Sequence, residues 1–491
     1  MSNGARQRSR CYRFVAAAGL LIALPSVLAL GAEPISDQAV VHLLNRLAFG
    51  PTLEEVQHVK TIGVERYIAE QLDPDSIPES IELRSRLVQF DTLKLNPVQL
   101  RQLYGPLRTL RGFKPNAELE KAQRERVRII LRDASEARIL RALLSPRQLH
   151  EVMVDFWFNH FNVFSGKGMD DVWIGNYEEQ AIRPFVLGRF RDLLFATTKH
   201  PAMLVYLDNA LSTAPGSPGA RGRQKGLNEN FAREVMELHT LGANGGYTQE
   251  DVVTLARVLT GWGLNSPDGR AFPEYAAVFE GARHDYSPKV FLGQPLKARG
   301  KAEGEEALDI LARSPATARH IAFELAQYFV ADEPPTALVE RLAARFLETD
   351  GNIREVLRTV FASNEFWDSS GAKYKTPYQF VISAVRAAGG SVANVRPLLG
   401  AMDQLGMPLF GCLTPDGYKN TEDAWLSPDA TTRRISFATA LARGSPGAAD
   451  DAHLEAIYGS ALSEGTRAVL EESPKGLRAA LILGSPDFMR R

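Results

Sequence analysis

Pro146-Arg147-Gln148-Leu149-His150-Glu151-Val152-Met153-Val154-Asp155-Phe156-Trp157-Phe158-Asn159-His160-Phe161-Asn162 is the stretch on which the fold turns. At about 100° per residue, Glu151, Asp155, Asn159 and Asn162 fall in one narrow sector of a helix, and apolar or aromatic side chains cover most of the rest. A helix of that kind is buried on most sides, so other helices must surround it. His150 and His160 lie within the apolar arc. Two carboxylates four residues apart repel each other, and burial raises the cost unless a cation answers them. The stripe therefore predicts a neighbouring arginine, a bound metal ion or an opening to solvent.

Outward from this segment the helical period continues. Apolar residues recur at three and four over 37–48, 52–72, 117–144, 146–161, 172–199, 229–242, 249–262, 305–312, 316–330, 336–348, 353–362, 376–388 and 431–443. Ser145 with Pro146, Asn228, and Thr248 with Asp251 read as helix starts. Strand-like text is confined to 276–280 and 289–293, a hairpin insertion near 270–300. The expected fold is mainly α: two packed helical lobes, 33–211 and 227–491, joined by an exposed flexible loop at 212–226 that holds Pro215 and Pro218.

Residues 1–32 read as a signal peptide. Arg6, Arg8, Arg10 and Arg13 precede an apolar run from Phe14 to Leu30, and Ala29, Gly31 and Ala32 suit a signal peptidase. The expected location is periplasmic or secreted, with no stable membrane span after cleavage; an uncleaved N-terminal anchor is the alternative. Beyond residue 32 the chain carries 53 basic against 58 acidic residues, so no positive excess exists to attract nucleic acid. Cys412 is then the sole cysteine and cannot form an intrachain disulfide.

The second chemical segment is Asn228 to Gly242. Its polar face holds Asn230, Arg233, Glu234 and Glu237, with Arg233 and Glu237 spaced for an ion pair. Glu237 and His239 point in opposed directions and cannot share one ion from a regular helix. His284-Asp285, in a loop, suits acid–base or ligand duty. Candidate catalytic residues are thus Asp155, His160, Glu234, Glu237, His284 and Asp285; binding candidates are Asn159, Asn228, Asn230 and Arg233. The candidate ligands of a divalent metal are Asp155, His160, Glu234 and Glu237. No phosphate loop, dinucleotide fingerprint, paired-cysteine zinc site, nucleophile elbow or His-Glu-x-x-His helix occurs, which weighs against nucleotide use and the familiar hydrolases.

His42 to Thr52, Asp155 to Val163, Asn228 to Gly242, Gly246-Tyr247-Thr248 to Trp262, His284-Asp285 with Lys289, Lys373 to Pro377, Trp425-Leu426 and Leu483 to Phe488 together resemble a bacterial family catalogued as domain of unknown function 1800. The resemblance runs from about residue 40 to the end. Gln379 departs from the glutamate expected after the Lys-x-Lys-x-Pro motif, and Tyr418 from a tryptophan. The resemblance implies an exported protein and a partner protein similar to sulfatases, from the family of unknown function 1501. Two functions follow as expectations: a factor that binds or assembles a partner, or an extracytoplasmic metal-dependent enzyme such as a hydrolase.

Overall fold

A computed structural model describes residues 36–105, 116–220, 226–264, 277–297, 299–389, 393–444 and 451–491. The expected signal segment and Cys11 lie outside them. The molecule is mainly helical, and its local rules are those of the sequence. Asn116 caps the Ala117–Leu144 helix by accepting the Leu119 N–H at 2.9 Å. Thr248 and Asp251 form the anticipated capping box. Ser145 and Pro146 start no helix: the central helix spans Gln148–His160, and the Ser145 hydroxyl takes the Arg147 N–H at 3.2 Å instead.

Two long helical readings are broken. Between Leu53–Ile62 and Val64–Leu72 stands Gly63 with φ of 89°, a left-handed turn that a residue with a side chain resists. The 172–199 segment divides into Asp170–Tyr177, a wide turn Glu178–Ile182, a tight turn Arg183–Phe185 and Phe190–Lys199. Pro184 has no N–H to give the ladder, and its ring crowds the turn before it. The break brings Glu178 and Arg183 against the central helix. Short helices unmarked by periodicity, among them Ile81–Leu87, Pro97–Tyr104 and Arg396–Gln404, complete the fold.

Both expected strands exist, each in its own antiparallel pair. Trp262–Leu264 pairs with Ala277–Phe279, and Lys289–Phe291 forms a hairpin with Gln294–Leu296 across Leu292-Gly293. The described part of the 212–226 loop is anchored: Ser212, Thr213 and Ala214 are buried, and the Ala214 N–H donates to the Arg283 carbonyl at 2.8 Å. Ser36–Arg491 holds together as one unit, and one core runs from Val40 to Met489 through Trp157, Trp173, Phe161 and Phe190, all fully buried. The stretches expected as two lobes share that core. No described helix is long and apolar enough to cross a membrane.

Candidate functional site

The polar stripe of the central helix is satisfied along its whole length. Glu151 pairs with Arg183 at 2.7 Å, and Asp155 with Arg138 at 2.6 Å. Each guanidinium also reaches Glu178, at 3.0 Å from Arg183 and 3.1 Å from Arg138. Burial opposes the Glu151 charge, but Arg183 wins and holds that carboxyl well below its usual range. At Asp155 burial prevails, pushing the carboxyl up, with Arg138 offsetting part of the effect. The next two members grip a loop. Asn159 Nδ2 donates to the Tyr418 carbonyl at 2.8 Å, and the Tyr418 N–H donates back to Asn159 Oδ1 at 2.8 Å. Asn162 Nδ2 donates to the Cys412 and Thr414 carbonyls at 3.1 and 2.8 Å.

That loop forms one wall of a cleft of about 290 Å³, whose lining includes Asp155, Asn159, His160, Glu237, Glu324 and Asp416. A shallower groove of about 510 Å³ adjoins it, sharing Ala243 and His320. Both nitrogens of His160 face acceptors: Nδ1 meets the Glu324 carboxylate at 2.6 Å and Nε2 the His239 carbonyl at 3.2 Å. Both ring nitrogens are thus engaged by the protein, and neither is free to contact a bound molecule. Burial works against the Glu324 charge, yet His160, with His320 and His239 behind it, holds that carboxyl down to about 2.

Of the second segment, Glu237 enters the cleft and accepts from the Tyr247 hydroxyl at 3.1 Å. It does not pair with Arg233, which reaches back to Glu229 at 3.7 Å and donates at 2.8 Å to Gln249, the first residue of the Gln249–Val258 helix. Glu234 is raised by its own partial burial and by Glu237 and Asp416, with Arg233 opposing. Asn228 caps its helix, accepting the Asn230 N–H at 2.9 Å, and Asn230 is exposed beside it.

His284 and Asp285 are placed elsewhere. His284 is buried, with Nε2 2.9 Å from Glu303 and Nδ1 2.9 Å from the Thr260 carbonyl, and Lys289 Nζ completes the set at 3.2 Å from Glu303. This internal ion network pins the hairpin to the Lys301–Ala312 helix. Asp285 accepts from Arg257 at 2.8 Å and from the Ser287 N–H at 2.8 Å; burial opposes its charge, but these donors hold the carboxyl down to about 2. Among the described residues no group of three or more His, Cys, Asp or Glu side chains is arranged to hold a metal ion.

With this geometry in view, a family model described as Protein of unknown function (DUF1800) matches residues 42–490. The chain belongs to the DUF1800 family. No curated protein and no solved structure matches it. Within this DUF1800 chain the sequence-derived set divides: Asp155, Asn159, His160 and Glu237 meet at one cleft, and His284 and Asp285 do not join them. Sequence reading missed His320, Glu324 and Asp416. The first two carried a signal, a histidine and a glutamate four residues apart on the otherwise largely apolar Pro315–Phe329 helix.

Proposed function

We propose that this protein is an exported binding or assembly factor whose cleft captures a positively charged segment of a partner protein. The observation that carries this reading is the charge imbalance at the cleft. Partial burial first, then the neighbouring Glu237 and Asp416, push the Glu234 carboxyl up against the opposing Arg233, and the only lysine or arginine within ion-pair distance of Glu237 or Asp416 among the described residues is Lys419, 2.8 Å from Asp416. A cationic guest would relieve that repulsion. The adjoining groove, with the exposed ring of Phe323 on its border, gives an extended chain room to continue. Matching of the deep carboxylates Glu151 and Asp155 by arginines supports an architectural role for the stripe. Export rests on the charged and then apolar start, and the sulfatase-like proteins implied by the family are the first partners to try.

A metal-dependent hydrolase receives less support, because His284 is held away from the other donors and His160 has no free nitrogen. The test is fluorescence anisotropy with labelled octalysine and octaglutamate peptides at low and high salt. The wild type should take octalysine only, and the Glu237→Gln/Asp416→Asn variant should bind at least about tenfold more weakly, roughly 1.4 kcal/mol. Equal binding by the folded variant, or none by the wild type at low salt, overturns the proposal.

A further inference from the structure

Two lysines of the Lys373-Tyr374-Lys375-Thr376-Pro377 segment do not line the cleft. Lys373 pairs with Asp332. Lys375 has no such partner: it is 2% exposed, its Nζ makes no hydrogen bond, and its closest compensation is the Phe488 ring, 3.9 Å away. Beside it Arg491, also buried, donates from Nη2 to the Tyr328 carbonyl at 2.8 Å and lies over the Tyr328 ring, but its Nε has no acceptor. Arg434 and Arg46 are fully buried in the same neighbourhood. Among the described residues no salt bridge joins Lys375, Arg491, Arg434 or Arg46 to a carboxylate.

Asp155 and Asp332 answer part of the charge of Arg491, and Asp332 part of that of Arg46, but only other cations act on Lys375, and burying that charge is unfavourable unless an anion answers it. Lys375 can escape by losing its proton, but the arginines cannot. Lys375 and Arg491 both line a small cavity of about 10 Å³, together with Asn45, Tyr328, Gln379 and Ser383. That leaves room for one small guest, a water or a single monatomic ion. The Asn45 Oδ1 there has no partner, and exchanging the amide oxygen and nitrogen would turn it into a third donor.

We infer that this cavity is a binding site for a single monatomic anion of the chloride class, held by Lys375 and Arg491. The anion ties together the end of the Asp37–Leu47 helix, the start of the Pro377–Ala387 helix and the last residue of the chain. It would act as a structural ligand next to the cleft, with which its cavity shares Tyr328 and Gln379.

The deciding experiment is a crystal of the full chain grown in sodium bromide and measured at the bromine edge. An anomalous peak between Lys375 Nζ and Arg491 Nε is expected; a cavity that is empty or holds only water at saturating bromide overturns the inference. In solution, sodium chloride is compared with sodium gluconate, whose anion is too large, at equal ionic strength. Above its dissociation constant each tenfold rise in chloride should raise the folded-to-unfolded ratio about tenfold. Gln379→Glu sets a fixed carboxylate in the same cavity while keeping an acceptor for the Thr376 N–H, now 3.1 Å from Gln379 Oε1. That variant should lose both the bromide peak and the chloride response; retention of both would contradict the assignment.

Discussion

Replacing Asn159 with alanine should free the wall of the cleft. The Asn159 amide and the Tyr418 backbone exchange two hydrogen bonds of 2.8 Å, the pairing that two strands would make. Each such bond contributes about 1 kcal/mol net, and each backbone group left unpaired adds about 1 kcal/mol where water reaches it poorly. Tyr418 is only partly buried, so water recovers some of this, and the expected loss is about 2–3 kcal/mol. If that loss falls on opening of the loop, hydrogen exchange at the Tyr418 amide should accelerate at least about 30-fold, with exchange in the central helix much less changed. Asn159→Asp keeps the acceptor for the Tyr418 N–H but turns an oxygen toward the Tyr418 carbonyl, so at neutral pH it should be no less damaging. Exchange mass spectrometry over 412–420 reads the effect. A Tyr418 amide in Asn159→Ala that exchanges within twofold of wild type would falsify the clasp.

Two further perturbations probe the buried charges. Arg138→Met removes the counter-charge of both Asp155 and Glu178 and should destabilise the fold by about 3–5 kcal/mol, read from urea midpoints; a loss below about 1 kcal/mol would mean the stripe is not held this way. Asp170 is fully buried with neither oxygen hydrogen-bonded, and burial, then Asp171, push its carboxyl up to about 9. Because this folded value lies above the unfolded one near 3.9, the group favours folding only while protonated, and stability falls as pH rises toward about 9, by about 1.4 kcal/mol per unit. Asp170→Asn should remove that slope, so its advantage over wild type grows from pH 5 to pH 8. Parallel midpoints across that range would sink the assignment.

The helical fold was legible because a nearly all-apolar helix admits few surroundings, and because caps such as Asn228 and Thr248 act locally. Segmentation was less so, since Gly63 and Pro184 interrupt helices whose apolar period runs on past them. The partner of Asp155 was foreseen in kind but not by name. Arg138 stands 17 residues upstream on another helix, and periodicity gives each helix a buried face without saying which faces meet. The same blindness explains His284: its loop reads as exposed, yet Lys289 of the hairpin and Glu303 of the Lys301–Ala312 helix enclose it. Asp416 could not be read at all, because its place in the cleft depends on where Asn159 and Asn162 hold a distant loop.

That hold involves main-chain atoms of the loop alone. Asn159 and Asn162 touch the backbone of Cys412, Thr414 and Tyr418 and ask nothing of their side chains. Gly417 is the exception, because a Cβ there would lie 2.3 Å from the Asn159 carbonyl oxygen. The wall is therefore an interchangeable insert on a fixed mount. Asp416 and Lys419 can be exchanged for residues of other charge or bulk without loosening the attachment, so selectivity at this cleft can be rewritten by substitutions that leave the scaffold untouched.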